Sequence, residues 1–472
     1  MIFKGHSIFR SIFTNSFGIL FSRVLGFVRD LLTASILGAN IYSDIFFVAF
    51  KLPNLFRRIF AEGAFVQTFL PSFAKSDKKA LFSAAIFVRF ISFLLIFSLI
   101  VTLFSPFFTK FIAIGFDTET VKKASPLVAL NFYYLDIIFA VTFLASFLQY
   151  KNHFATTAFS TAFLNIGIIG ALLLSRSLPP EKIVWYMSFG VLIGGAFQLL
   201  AHIVAAEKLG VLKVLIGGLI YLRRKGYFVK EEVKRFYRSF FPAILGNSTA
   251  QVSAFLDTWL ASLLAAGNIS YLYYANRVFQ LPLALFAIAA STAIFPKVAR
   301  HLKNEREEEA LSLLKKGFWF LLFLLSAFVV GGIILSSEVI SLLFERGSFD
   351  ERDTLVTASV LSMYMIGLLP YGLSKIFSLW LYSEHKQKEA AKIASYSLFV
   401  NIVLSLLLIY PMKASGLALA SSVAGFILLY YTIKEFGIEK FVKFFNLKLA
   451  FYLVLFISLE IAVLSVLKIY VF

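Results

Sequence analysis

Hydrophobic residues run along this chain in continuous blocks of roughly 20 or more, divided by short polar breaks, and within the blocks apolar and polar positions do not alternate. "FWFLLFLLSAFVVGGIILSS" (318–337) and "LAFYLVLFISLEIAVLSVL" (449–467) show the type. Runs of this kind predict membrane-spanning helices and disfavour spanning β-strands, whose faces alternate. Thirteen spans are expected, near 8–37, 42–72, 80–109, 124–149, 154–175, 183–206, 236–265, 269–296, 317–338, 355–382, 390–411, 415–433 and 448–468.

Composition agrees. Of 472 residues, 60% are hydrophobic and 15% charged, against about 45–50% and 25% in soluble domains. The fold class expected is therefore an all-α polytopic membrane protein. Forty-five basic residues against 26 acidic give a net charge of +19. In a soluble protein that excess would suggest nucleic acid, but here it maps onto loops. Segments on the N-terminal side of the membrane carry 28 Lys and Arg, and the opposite loops carry nine. This bias places the N-terminus in the cytoplasm and, with an odd number of spans, the C-terminus outside; no nucleic-acid partner is expected. The first apolar block contains Arg23, Arg29 and Asp30 and no small-x-small cleavage site, so it does not read as a secretory signal. No cysteine is present, so there is no disulfide framework.

An internal repeat divides the chain. "FKLPNLFRRIFAEGAFVQTFLPSFAK" (50–75) parallels "FQLPLALFAIAASTAIFPKVAR" (279–300), matching Pro53 to Pro282 and Pro71 to Pro296 across a gap of one turn. "LQYKNH" (148–153) parallels "LWLYSEH" (379–385), and "FLNIG" (163–167) parallels "FVNIV" (399–403). The period of about 230 residues covers six spans, an even number, so both copies share one orientation, the parallel two-lobe plan of many transporters. The organisation expected is an N-lobe over 1–207, a basic amphipathic cytoplasmic linker over 208–235, a C-lobe over 236–437 and one extra transmembrane helix in 438–472.

The remaining eight basic residues lie within spans: Arg23, Arg29, Lys51, Arg57, Arg58, Arg89, Arg277 and Lys375. On a helical wheel of the second span, Asp44, Lys51, Asn54, Arg57, Arg58 and Glu62 share one arc of about 140°, with Pro53 able to distort it. Snorkelling is the common fate of membrane Lys and Arg. Arg57, however, lies about 20 Å along the helix from Asp44 and about 27 Å from Lys75, too deep to reach either surface easily. At about 2.5–3.5 kcal/mol per charge at a span centre, such a row facing lipid would make insertion difficult, so it is expected to face a wet cavity. An ion-pair cluster, with Arg58 and Glu62 at i, i+4, is the structural alternative. Arg23, Arg29 and Asp30 repeat the theme on the first span, where two guanidinium groups exceed what one carboxylate needs. Converging guanidiniums suit an anionic substrate such as a pyrophosphate, and the apolar faces suit one that keeps a lipid tail in the bilayer. Arg89 and Lys375, nearer the cytoplasmic half, read as snorkellers or helix-packing partners.

Catalytic signals are poor. The five histidines form no HExxH or ligand-spaced pair, and no GxxxxGK[ST] loop occurs, so neither metalloenzyme nor ATPase is expected. Asp136, Asp257 and Glu460 lie within spans, and Asp257 is the best candidate for a cation or proton site.

"SRVLGFVRD", "DIFFVAFKLPNLFRRIFAEGAF" and "YYANRVFQLP" closely resemble the signature stretches of the MurJ (MviN) lipid II flippases, in the multidrug/oligosaccharidyl-lipid/polysaccharide exporter superfamily. The resemblance runs through about residue 437. It implies a non-enzymatic, monomeric carrier in the bacterial inner membrane, moving lipid II, an undecaprenyl-pyrophosphate-linked disaccharide-peptide, to the outer leaflet by alternating access. It also implies cavity arginines at Arg23, Arg29, Arg57 and Arg277, acidic partners at Asp44 and Glu62, and no cofactor beyond Na+ or H+ as coupling ion. The positions similar to a sodium site in some members are Asp257, Asn401 and Ser421. Two departures stand out: Asn276 replaces an acid often found before the second-lobe arginine, and one span follows residue 437 where members commonly have two. Alternatives within the superfamily are a flippase for another polyprenyl-linked oligosaccharide and a cation-coupled drug exporter. A membrane glycosyltransferase would want catalytic carboxylates near a larger outer loop than this chain has.

Overall fold

The structure, a computed structural model, describes residues 3–58 and 64–470, with side chains described except at 3–13, 15, 226–227, 245–250 and 253–254. The described backbone is helical apart from short connections and one isolated bridge between Arg346 and Phe349. Packing divides the chain into two units, Met1–Trp259 and Leu260–Phe472.

The first unit begins with α1 (Phe3–Leu37), α2 (Ile41–Phe56), α3 (Val66–Lys75), α4 (Lys79–Leu103) and the short α5 (Ser105–Ile112). Gly38, at φ 72, ends α1 in the left-handed region that glycine tolerates. Asn40 and Ser43 then form a reciprocal cap at the start of α2. The unit continues with α6 (Thr118–Phe132), α7 (Tyr134–Tyr150), α8 (Ala155–Ser175), α9 (Pro180–Lys208), the linker helix α10 (Val211–Lys225) and α11 (Lys230–Ala261). Asp117 caps α6 through the Thr120 amide at 2.7 Å, and that bond holds its carboxyl below the ordinary value of 3.8. Helices α8 and α9 meet through glycines: a Cβ on Gly167 would overlap the Gly190 carbonyl, and one on Gly194 would overlap Leu164. Such small residues let helix backbones approach where no hydrophobic effect drives association.

Phenylalanine fills the rest of the first unit. Phe65, Phe69, Phe143 and Phe147 pack with ring centroids 5.1–6.2 Å apart. Phe236 of α11 lies 6.0 Å from Phe65 and 6.1 Å from Phe90, and Ser76 Oγ donates to Glu232 Oε2 at 2.5 Å. These contacts carry α11 with the first unit, so the packing division falls at 259/260 although the sequence repeat restarts near 236.

The second unit holds α12 (Asn268–Pro282), α13 (Ala289–Lys303), α14 (Glu307–Ile334), α15 (Ser336–Phe344), α16 (Glu351–Ile366), α17 (Leu368–Ser383), α18 (Gln387–Phe436), α19 (Ile438–Val442) and α20 (Leu447–Tyr470). A π-helical segment, Leu283–Ile288, joins α12 to α13. Phe318, Phe377, Phe436 and Phe444 form its aromatic core, and Trp319 Nε1 donates to the Phe444 carbonyl at 2.9 Å. Lys468 ties the far end of α20 to α14 and α15, donating to the Ile334 carbonyl at 2.7 Å and pairing with Glu338 at 3.1 Å.

Nine helical stretches among the described residues have the length and apolarity to cross a membrane. The difference from thirteen has two sources. Residues 387–436 are counted once, although the backbone breaks at Lys413 (φ 53, ψ −135). The stretches at α1, α2–α3 and α11 are outside the nine; α2 and α3 have 16 and 10 residues, with 59–63 between them outside the described residues.

Candidate functional site

On α1, Arg29 reaches sideways and forward at once. Its Nε and Nη2 donate to Asp30 Oδ1 at 3.0 and 2.7 Å, and its Nη1 donates to Asn165 Oδ1 of α8 at 3.0 Å. Asn165 in turn donates to the Ser22 carbonyl at 3.0 Å, and Ser22 Oγ donates to the Ala158 carbonyl at 3.2 Å. Gly26 makes room for the Asn165 amide. This network seats α1 on α8 and fixes the Arg29 guanidinium, while Asp30 is buried. Arg23, one and two-thirds turns earlier, is exposed and forms no ion pair with another described residue.

Helix α2 carries the charge row. Asp44 is buried at its start, Lys51, Asn54 and Arg57 are half-buried, and Arg58 is exposed. Asn54 Oδ1 accepts from Arg57 Nε and Nη2 at 3.3 and 3.0 Å, which orients the guanidinium. At Arg57 and Arg58 the backbone turns π-helical, so the 100° wheel no longer carries phase past that point. Glu62 lies outside the described residues.

Arg57 lines a cavity of about 350 Å³ within the first unit, together with Thr142 and Gln149 of α7, Thr157 and Ser160 of α8, and Gln198 and His202 of α9. Gln198 is buried and satisfied: its Nε2 donates to the Ser160 carbonyl and hydroxyl at 2.9 and 3.2 Å, and its Oε1 accepts from Tyr134 Oη at 3.1 Å. Sequence reading missed His202 and Gln198. The available signal was their i, i+4 spacing in the otherwise apolar "FQLLAHIV" (197–204), which puts two polar side chains on one stripe of a span.

Arg277 lies in the second unit on α12, stacked over the Tyr273 ring at 4.7 Å and donating to Tyr273 Oη at 2.7 Å. Its neighbour Asn276 accepts from Gln280 Nε2. Tyr274 packs on Phe344 and Phe349, and Tyr271 Oη donates to Asp353 Oδ1 at 2.8 Å, which holds this face of α12 in place.

The positions considered for a cation fall in different units. Asp257, half-buried on α11, belongs to the first and lies within electrostatic reach of Lys51. Asn401 and Ser421 belong to the second; Asn401 Oδ1 accepts from Ser405 Oγ at 3.2 Å, and the Ser421 carbonyl accepts from Tyr371 Oη at 2.9 Å. All are hard oxygen donors, the chemistry suited to an alkali cation and unsuited to soft transition metals. No cluster of three or more His, Cys, Asp or Glu that could hold a metal occurs among the described residues.

A comparison with protein families matches residues 33–472 to the family described as lipid II flippase MurJ. A Helicobacter pylori protein named "Probable lipid II flippase MurJ" is 50% identical over 416 residues, covering 86% of this chain and 90% of that protein. Among solved structures, "Lipid II flippase MurJ, inward closed conformation" superposes with a TM-score of 0.78 at 26% identity, over 96% of this chain and 97% of the other. An inward-facing MATE family multidrug transporter of the MOP superfamily shares the fold, with a TM-score of 0.66 at 11% identity over 89% and 95%. With the cationic row on α2, the Arg29 network and a family match spanning nearly the whole chain, this protein belongs to the lipid II flippase MurJ family.

Proposed function

We propose that this protein moves lipid II, the undecaprenyl-pyrophosphate-linked peptidoglycan precursor, from the cytoplasmic to the outer leaflet of the bacterial inner membrane by alternating access. The observation that carries this reading is Arg57: a guanidinium bonded to Asn54 Oδ1 and lining a polar cavity inside a span-forming unit. A permanently charged, forked donor in a site of low dielectric is suited to a phosphate oxygen pair. Arg23 and Arg29 add positive charge on the same unit, and Arg277 is the cationic position of the second. Asp30, Asp44, Lys51, Asn54 and Arg58 shape the field around them.

The polyprenyl tail stays in lipid while the headgroup crosses, so the protein binds and releases and breaks no bond. Return is driven by a coupling cation, Na+ or H+, or by the membrane potential, which is worth about 2.3 kcal/mol per charge moved through 100 mV. Asp257, Asn401 and Ser421 are the oxygen donors offered for that cation. The protein acts as a monomer with membrane lipids as its surroundings.

The test replaces a host's own flippase by depletion and follows lipid II in the outer leaflet. Wild-type chain restores it; Arg57→Ala lowers the rate by roughly tenfold or more, as expected for losing charge-assisted bonds of about 1.5–3 kcal/mol. Full rescue by Arg57→Ala removes Arg57 from the site.

A further inference from the structure

The cavity behind Arg57 contains polar atoms that the grip on phosphate leaves unused. His202 has no exposed surface, and its Nδ1 lies 2.8 Å from the Gln198 carbonyl. A carbonyl oxygen only accepts, so Nδ1 carries the hydrogen, and in the neutral ring Nε2 is an acceptor. That Nε2 is buried and, among the described residues, has no hydrogen-bond partner. The Thr157 hydroxyl oxygen, lining the same cavity, is likewise buried without a partner. Leaving such atoms unsatisfied costs about 1–3 kcal/mol each, so the cavity is built for something that supplies donors.

The rest of the lining narrows the chemistry. Among the described residues no carboxylate lines the cavity, and Arg57 is the charged residue of that lining. Ile138 and Val141 provide an apolar face, and Thr142, Gln149 and Ser160 provide neutral donors and acceptors. At about 350 Å³ the cavity is at the small end of ligand pockets. A group that is uncharged, has hydroxyl and amide hydrogens on one face and C–H on the other, and is joined directly to an anion matches these features.

We propose that this cavity, marked by His202 and Thr157 and adjoining Arg57, is the subsite for the first N-acetylated sugar attached to the pyrophosphate. His202 Nε2 accepts from a sugar hydroxyl or amide, Thr157 exchanges a hydrogen bond with a second hydroxyl, and Ile138 and Val141 back the ring. The assignment rests on the lipid II reading above and extends it from the phosphates to the glycan. On the proposed topology α7 and α9 end, and α8 begins, at the cytoplasmic surface, so the cavity is in the half that faces incoming substrate.

The experiment measures binding of two probes, lipid II and sugar-free undecaprenyl pyrophosphate, to the purified full chain in detergent, by native mass spectrometry. His202→Leu and Thr157→Val each weaken lipid II by roughly tenfold, one hydrogen bond's worth, and leave undecaprenyl pyrophosphate within roughly twofold of wild type. His202→Gln, which returns an acceptor, recovers part of the loss. Arg57→Ala weakens both probes. If His202→Leu lowers the melting temperature, Thr157→Val, nearly isosteric, decides alone. Equal weakening of both probes, or of neither, by Thr157→Val overturns the subsite while leaving the lipid II reading intact. Wild-type chain binding lipid II no better than phosphatidylglycerol overturns the lipid II reading, and the subsite falls with it.

Discussion

Arg23 and Arg29 belong to one helix and carry the same charge, yet their surroundings assign them different burdens. Arg29 is bonded to Asp30 and Asn165 in a mostly buried network, so its removal should damage both fold and transport. Breaking a buried pair costs about 3–5 kcal/mol, and Arg29→Ala should lower the melting temperature in detergent accordingly. The double change Arg29→Ala/Asp30→Ala should regain much of that stability without regaining transport, because the carboxylate and its partner are removed together. Arg23→Ala should leave stability within about 0.5 kcal/mol, as exposed substitutions do, while reducing flipping. Loss of stability in Arg23→Ala equal to that in Arg29→Ala would show that both are structural. The sequence could not separate the two, because spacing puts Arg23 on the face of Asp30 and Arg29 beside it but does not tell which guanidinium Asn165, 136 residues from Arg29, would engage. His202 carried only the weak signal of its spacing with Gln198, because the cavity that gives it meaning is shared by helices distant in sequence.

At the level of the helix, the same device occurs in both repeats. Pro53 precedes the π-helical turn at Arg57–Arg58, and Pro282, its repeat mate, immediately precedes the π-helical segment Leu283–Ile288. A proline inside a helix withdraws an amide hydrogen and crowds the carbonyl one turn back, and π-turns are common where helices bend at functional sites. The paired prolines were legible in the sequence. The π-turn was not: the wheel assumes constant twist, and residue spacing does not mark where a turn gains a residue. Pro282→Ala should restore a regular α-helix, raising stability by up to about 3 kcal/mol while slowing transport. Detergent melting and flipping rate measured on the same preparation test this; a faster carrier with unchanged stability would contradict it.

For the whole molecule, topology turns on how many times the chain crosses the membrane and in which sense. Loop charge predicts the side of both ends, since 28 basic residues stand on one side of the thirteen expected spans and nine on the other. The count depends on reading residues 387–436 as two spans broken at Lys413. Were that helix a single crossing, Lys413 would be within the bilayer and the sense of α20 would reverse. Because the chain has no cysteine, single cysteines report position without a background to remove. Arg176→Cys, Lys413→Cys and Lys468→Cys, all at exposed positions, should react with a membrane-impermeant maleimide added to intact spheroplasts. Lys151→Cys and Lys388→Cys, also exposed, should react only after the membrane is opened. The decisive comparison is Lys413 with Lys468: both labelled from outside means an even number of crossings between them, by the end of α18 and by α20, and hence the turn at Lys413. Labelling of Lys468→Cys only in opened cells would make the crossing number even and place the C-terminus in the cytoplasm.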